Sequence, residues 1–554
     1  MTGSDLIVNT LIESGVTVCF GYPGGAAMPL YDALYRKRSQ IRHVRTAHEQ
    51  GASHAADGYA RASGKLGVCI ATSGPGATNL VTGIATAFSD SSHVLFITAN
   101  VNSSEIGTDS FQEADIFGIT TPVCKYNWIV RDPYSLYPTL KKAIKLSTEG
   151  RPGPVLLDVP HDILSFEFPK GYVPEDSSDE SESRTPVIPE VNDETIAEIV
   201  ALIKNAKKPV IIAGGGVGIS GAYSELKELS HKANIHVATT LMACGVLPSD
   251  DSLNLGMVGA YGNPLAIKFV SEADLIIAVG MRFSNRTHGA LSAANAIIHI
   301  DSDAAELDKN VKATLPVNGD AKTVLKRVIE ALDNDDSSFE EKSNSKISAK
   351  LSEEVKTVQP EIIPSQLGTY MFSAEGDRLV KDAFSLIKKK LGDVFVVTDV
   401  GIHQMATARL YPFEKPGRLI TSGGFGTMGF GLGADIGVSV ASLEEPFGIG
   451  SVLVSGDGSF RMSLQELSSV KENKIRTLIV IINNKSLGMV RNIQKKAFGR
   501  RYIATEASYK IPDFKMIARA YGLSGFVARN IGDFERALDE YILGNKTAVI
   551  DLRI

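Results

Sequence analysis

The sequence predicts an α/β protein of three doubly wound parallel-sheet domains, and three observations carry that prediction. First, short apolar runs alternate with helical patterns in three successive blocks. Runs that are apolar throughout, instead of at every second residue, mark strands buried on both faces, as in parallel sheets covered by helices. Second, two stretches are acidic, rich in serine and nearly free of apolar residues: VPEDSSDESESRTP and LDNDDSSFEEKSNSKISAK. Such segments bury too little surface to offset the entropy of ordering, so they separate cores. Third, 554 residues exceed what a single core organises. The predicted domains are 1–170, 188–333 and 366–554, joined by linkers at 171–187 and 334–365.

The elements follow in order. GVCIAT, HVLFITAN and GPVLLDVP are strands of the first block; PVIIAGGG, DLIIAVG and AIIHIDSD belong to the second; FVVTDVG, SVLVSGDG and TLIVIINN belong to the third. Most end on glycine, asparagine or aspartate, where a strand gives way to a turn. Hydrophobic residues make up 44% and charged residues 22%, the mix of a globular enzyme. A net charge of −6 gives no footprint for nucleic acid or an anionic membrane. No apolar run reaches bilayer length, and the amphipathic DLIVNTLIESG begins almost at once, so neither an anchor nor a leader peptide is expected. Cys19, Cys69, Cys124 and Cys244 stand singly without metal-site spacing, as reduced thiols in a cytoplasm would.

The third block contains GDGSFRMSLQELSSVKENKIRTLIVIINN, residues 456–484. Read as strand, helix and strand, it puts GDGS and NN at the carboxyl ends of neighbouring strands, where open α/β sheets bind ligands. Asp457 and Asn484 then offer hard oxygen donors for Mg²⁺ or Ca²⁺, and the Gly458 and Ser459 amides face the same phosphates. In the first block Glu49 opens a helix whose Ala52, Ala55, Ala56, Ala60 and Ala62 call for close packing. A carboxylate on such a wall needs a partner: its own helix start, or a ligand nitrogen with which it exchanges a proton. SGPGATN (Ser73–Asn79) follows a strand and precedes a helix, and its glycines permit close backbone approach.

GDG, 24 residues and NN, together with HEQGA and SGPGATN, resemble the motifs of thiamine diphosphate enzymes. Within that family the chain most resembles acetohydroxyacid (acetolactate) synthase catalytic subunits. The matching stretches are GYPGGAAMPLYDAL, IGTDSFQEADIFGIT, EGRPGPVLLDVP, TTLMACG, SGGFGTMGFGLGADIG and NNKSLGMVRN. The resemblance covers nearly the whole chain outside the linkers. It implies thiamine diphosphate and Mg²⁺, with the cation held by Asp457, Asn484 and the Ser486 carbonyl. It places Glu49 on N1′ of the aminopyrimidine and Met428, in GTMGF, beneath the bend of the cofactor. Pro23, Gly24, Ser73, Gly76 and Asn79 match cofactor positions of the first domain. Val400, Gly401, His403, Gly426, Gly458, Ser459, Met489 and Val490 match those of the third. Gly25, Phe111, Gln112 and Lys125 match the wall of the reaction chamber. The implied activity decarboxylates pyruvate and transfers the acetyl unit to a second 2-oxo acid, giving acetolactate for branched-chain amino acid biosynthesis. The implied assembly is a homodimer or dimer of dimers with sites between subunits, open to a small regulatory subunit.

AGGGVGISG carries Gly216, Gly218 and Gly221 at G-x-G-x-x-G spacing after PVIIA, a weak signal by itself. The resemblance strengthens it by implying FAD without a net redox role. The matching positions are Gly215, Gly216, Thr240, Leu241 and Met242, with Gly259, Arg282, Arg286, Asp301 and Asp320. Here the chain departs from the family: Ser284 and Asn285 replace two aspartates, Tyr261 replaces a histidine, and Ser302 sits at the centre of DSD.

Other departures concern the acceptor and the diphosphate. Ile493 replaces the tryptophan that selects a larger second 2-oxo acid, and the one tryptophan present, Trp128, lies elsewhere. Ile402 replaces a glutamine, Ala406 a tryptophan, and nothing after AVIDLRI matches the family's tail, which folds as a lid. An aliphatic side chain lacks the stacking face of indole. The sequence therefore also admits a related carboligase with a bulkier acceptor, such as a keto-sugar or an aldehyde. Two further alternatives are a 2-oxo acid decarboxylase, which usually carries an HH pair absent here, and a non-catalytic cofactor scaffold. Keeping Glu49, Asp457 and Asn484 together argues against the scaffold.

Overall fold

A computed structural model of the chain describes residues 1–175, 188–288, 296–334, 371–444, 450–505 and 512–554. Most of the linker at 171–187 and nearly all of that at 334–365 lie outside the described residues.

The strands form three six-stranded sheets. The first contains β1 (Val18–Gly21), β2 (Arg42–Arg45), β3 (Gly67–Ala71), β4 (Val94–Asn100), β5 (Tyr126–Ile129) and β6 (Val155–Pro160). The second contains β7 (Pro209–Ala213), β8 (His236–Thr239), β9 (Asn254–Met257), β10 (Leu275–Val279), β11 (Ala296–Asp301) and β12 (Leu315–Asn318). The third contains β13 (Phe395–Thr398), β14 (Leu419–Ile420), β15 (Ser451–Gly456), β16 (Leu478–Asn483), β17 (Ser524–Ala528) and β18 (Ala548–Arg553). Neighbouring strands pair in parallel, as the apolar runs predict.

The first and third sheets share one topology, β2-β1-β3-β4-β6-β5 and β14-β13-β15-β16-β18-β17. The middle sheet runs β9-β8-β7-β10-β11-β12, the 3-2-1-4-5-6 order of dinucleotide-binding sheets. In each sheet the chain leaves one central strand to one side and returns to the other, which opens a crevice at the carboxyl ends: between β1 and β3, β7 and β10, and β13 and β15.

The chain divides into two compact units. One comprises Met1–Thr185, Val394–Gln404 and Ile420–Ile554, with the first and third sheets; the other comprises Pro186–Asp393 and Met405–Leu419, with the middle sheet. The helix Ala374–Leu391, placed by sequence in the third block, therefore groups with the middle sheet.

Within the first unit the alanine-rich helix Glu49–Ser63 packs against the helix Phe430–Glu444. A side chain on Gly58 would meet the Ala434 carbonyl oxygen at 2.2 Å, and one on Gly437 the Ala55 oxygen at 1.8 Å. Small residues let the two backbones meet this closely, so the helices join both sheets through one apolar core. His54 meets the edge of Phe430 with ring centroids 5.2 Å apart. Among the described residues no helix is long and apolar enough to cross a membrane.

Candidate active site

β15 and β16 lie side by side, with Gly456 opposite Ile482, so Asp457 and Asn484 emerge together at the carboxyl edge. Asp457 is 2% exposed and opens a helical turn, Asp457–Phe460. Burial raises its carboxyl to about 6, against hydrogen bonds from its own amide and that of Asn484, with Asp551 adding like-charge repulsion. The asparagine pair divides its work. Asn483 turns into the sheet, donating from Nδ2 to Asp551 Oδ1 at 2.8 Å, while Asn484 Oδ1 accepts the Ser486 amide at 3.1 Å. A left-handed Lys485, φ 54°, makes that turn. Asp457, Asn484 and Ser486 are thus gathered at one edge.

Their chemistry fits a hard cation that arrives with a diphosphate. Only one donor is anionic, so neutral oxygens, water and phosphate must complete the shell. Among the described residues no group of three His, Cys, Asp or Glu side chains is placed to hold a metal by itself. Gly458 and Gly488 let their neighbours pack close to this edge. A side chain on Gly458 would meet Leu487 Cδ2 at 2.5 Å and approach the Met428 methyl at 4.0 Å. One on Gly488 would meet Asn484 Nδ2 and Ile402 Cγ2, each at 3.0 Å.

Asp399 assembles the neighbouring turns. Its Oδ1 accepts the Val400 and Gly429 amides, each at 2.8 Å, joining the end of β13 to the residue after Met428. Burial raises this carboxyl to about 6. Ser422 Oγ accepts the Gly426 and Thr427 amides, and Ser459 Oγ donates to the Val400 carbonyl at 2.8 Å. His403 fits between Gly401 and Gly456, where any Cβ would meet its ring within 2.7 Å. Burial lowers the imidazole to about 3, so it is neutral at ordinary pH. Met489 and Val490 begin the helix Gly488–Ala497, which buries none of its residues; Val490 is 44% and Ile493 54% exposed.

The first sheet builds a second cluster. Glu49 is the first residue of its helix, after an N-cap His48 whose Nδ1 accepts the Gln50 amide at 3.1 Å. Its Oε2 accepts from Asn79 Nδ2 at 2.9 Å, and the residue is 9% exposed. A side chain on Gly76 would meet Thr72 at 2.7 Å and Glu49 Oε1 at 3.3 Å, and one on Gly24 would meet the same threonine at 2.3 Å. Gly74, φ 55°, lies under the backbone of Gln112, whose oxygen a Cβ would meet at 2.5 Å. Gly24, Glu49, Gly76, Asn79 and Gln112 therefore come together around the glycine turn. Ser73 is buried there, Pro23 is half-buried beside Gly24, and Gly25 faces open space. Phe111 is 86% exposed. Lys125 stands apart in its bonds: its ammonium donates to the Leu146 and Glu149 carbonyls, closing the carboxyl end of the helix Leu136–Thr148.

In the middle unit, glycines bring the turns that follow β7 and β10 into contact. A side chain on Gly214 would meet the Gly280 oxygen at 2.1 Å, and one on Gly216 the Gly280 Cα at 2.7 Å. Gly215 lies against Met242, and Thr240 donates its amide to Ala213. Gly259, φ 113°, lies under the Arg286 carbonyl. The G-x-G-x-x-G stretch opens only a helical turn, Gly215–Ile219, which ends at a left-handed Gly221 before the helix Tyr223–Lys232. Asp301 ends β11 and accepts the Asp303 amide, the Arg282 carbonyl accepts from Asn310, and Asp320 caps the helix Ala321–Asp333.

Three family models match in chain order: the thiamine pyrophosphate (diphosphate) enzyme N-terminal TPP binding domain at 1–119, the central domain at 196–328, and the C-terminal TPP binding domain at 399–552. The chain belongs to the thiamine pyrophosphate enzyme family. Three relatives of this thiamine pyrophosphate enzyme run almost its full length. A probable acetolactate synthase large subunit of Methanocaldococcus jannaschii is 40% identical over 100% of this chain and 92% of its own. The acetolactate synthase large subunit of Lactococcus lactis is 40% identical over 94% and 87%, and that of isozyme 3 of Escherichia coli 38% over 100% and 95%.

Several residues that shape this thiamine pyrophosphate enzyme carry no local sequence signal. Arg61, near the end of the Glu49 helix, donates to Asp57 at 2.7 Å, to Asp90 at 3.0 Å and to the Thr421 carbonyl at 2.7 Å. Asp90 also accepts the Gly423 and Gly424 amides, so this buried group anchors the loop that leads to Met428. Asp399 had only its place in FVVTDVG to suggest a role.

Proposed function

We propose that the chain is the catalytic subunit of an acetolactate synthase, joining two molecules of pyruvate. The observation that carries this reading is full-length likeness to acetolactate synthase large subunits in a chain that keeps both polar clusters, Glu49 with Asn79 and Asp457 with Asn484. Bound thiamine diphosphate supplies the nucleophilic carbon and takes up the electrons left when CO₂ departs. Asp457, Asn484 and the Ser486 carbonyl would hold Mg²⁺ with the diphosphate, and the Gly458 and Ser459 amides would serve the same phosphates. Glu49 holds a proton in exchange with the ring N1′. Met428 would support the bound cofactor. Gly25, Phe111 and Gln112 line the chamber. The C1–C2 bond of one pyruvate breaks, a bond forms between its C2 and C2 of the second, and the acceptor oxygen takes a proton. Two pyruvates and one proton become acetolactate and CO₂ without net redox change.

Glu49 of one chain serves the cofactor held by Asp457 of another in a homodimer or a dimer of dimers. The exposure of Phe111 (86%), Phe425 (54%) and Met462 (58%) in the single chain supports a covering neighbour. A small regulatory subunit is a further partner, by analogy with relatives called large subunits. FAD would be held at the carboxyl ends of β7 and β10 by Gly215, Gly216, Thr240, Leu241 and Met242, a reading supported by the strand order of this sheet.

A second reading concerns the acceptor. Ile493 stands 54% exposed on a helix that buries none of its residues, so this position offers no indole face to the acceptor, and the pocket takes bulkier carbonyl compounds with little preference for 2-oxobutyrate. One experiment tests these statements: purified protein with thiamine diphosphate and Mg²⁺ is given carbon-13 pyruvate together with 2-oxobutyrate. We expect a flavin spectrum, acetolactate with one CO₂ per product, and no marked selection of 2-oxobutyrate. Acetaldehyde alone would make the chain a decarboxylase, and no turnover would make it a scaffold. A colourless protein would remove the flavin, and strong selection of 2-oxobutyrate the open acceptor pocket.

A further inference from the structure

Glu466 lies nine residues after Asp457, at the start of the short helix Glu466–Glu472. It is 0% exposed. Its Oε2 accepts the Ala47 amide at 3.0 Å and the Ser469 hydroxyl at 2.7 Å, while Oε1 has no hydrogen-bond partner. That second oxygen presses on the Glu49 helix: a side chain on Gly51 would meet it at 2.2 Å. The other end of the short helix holds the strand that leads to Glu49. Glu472 pairs with Arg45 at 2.5 Å, Asn473 Nδ2 donates to the Arg45 carbonyl at 2.9 Å, and Arg42 donates to the Asn473 carbonyl. Residues 42–51, which deliver Glu49, are therefore held from both ends of one helix of the third sheet.

We propose that Glu466 is a positioning residue for Glu49, fixing the entry of its helix through the Ala47 amide and the face of Gly51 and so aiming the Glu49 carboxylate at the cofactor ring. This rests on the reading of Glu49 given above. A carboxylate buried with one oxygen unmet is costly, and holding the Ala47–Gly51 turn gives it a reason to be there. Glu466 touches neither substrate nor cofactor in this role. Its length and acceptor matter, and its charge does not.

Two readouts test it: amide hydrogen exchange across residues 46–52 in cofactor-free protein, and exchange of the C2 proton of bound thiamine diphosphate. In Glu466→Ala we expect faster amide exchange and slower C2 exchange, each by about 10- to 100-fold, the weight of a buried backbone donor left without its acceptor. Glu466→Gln keeps the acceptor and should stay within about threefold of wild type. Glu466→Asp keeps the charge but falls short by one methylene, and should slow C2 exchange. Wild-type exchange in Glu466→Ala would overturn the proposal. So would the reverse order of the other two, with Gln impaired and Asp normal. Glu49→Gln separates the two readings: if it leaves C2 exchange unchanged, the role of Glu49 itself falls, whereas if it slows exchange and Glu466→Ala does not, only the positioning role falls.

Discussion

Glu49→Gln lowers turnover of pyruvate by about 10²- to 10⁴-fold, the span that a placed proton-transfer group contributes, while leaving the fold intact. The geometry explains why the two effects separate. Asn79 Nδ2 donates to Glu49 Oε2 at 2.9 Å, and the amide oxygen of glutamine accepts the same bond at the same length of side chain. The helix keeps its His48 cap and its glycine contacts with Phe430–Glu444. What the substitution would remove, on the proposed role, is the ability to hold and release a proton at the ring nitrogen. Steady-state rates and a melting curve check this together. Activity near wild type would show that the carboxylate serves only the helix start.

Asp457→Ala abolishes Mg²⁺-dependent retention of thiamine diphosphate. Losing a group that merely orients a metal's ligands costs about 10- to 100-fold in affinity, so removing the one anionic side chain proposed to hold the cation should cost at least about 100-fold. The cofactor-free protein should melt no lower than wild type, because Asp457 is buried against its ionised form and Asp551 repels it. A chelator should reproduce the loss in wild type, and added Mg²⁺ should restore it there but not in the variant. Equilibrium dialysis with and without Mg²⁺ reads all of this. Cofactor retained by Asp457→Ala would remove the cation site from the sheet edge.

What could be read ahead in the sequence was whatever lies close along the chain. The β15–β16 unit is one such case, because apolar strands and a fixed helical spacer dictate where Asp457 and Asn484 emerge. The Glu49 helix is another, since its alanines announce the close neighbour found in Phe430–Glu444. The supports of the site were not legible. Glu466 and Ala47 are 419 residues apart, and Asp90 and Gly424 are 334 apart, so these bonds exist only once two sheets share a core. Asn483 and Asn484 look alike in sequence, and only the register of β16 with β18 sends one inward to Asp551. Lys125 shows the opposite limit. A matching motif position says nothing of the nearby helix end whose carbonyls take up its ammonium.

Glu49 and Asp457 are proposed to act on one cofactor from two chains. Mixing the Glu49→Gln and Asp457→Ala variants, after dissociation or by co-expression, tests that directly. In each mixed dimer one site inherits both substitutions and the other neither, so activity should return although both parents are inactive. If the mixed protein assembles and stays inactive, the two residues do not meet across a subunit boundary, and the shared site is wrong.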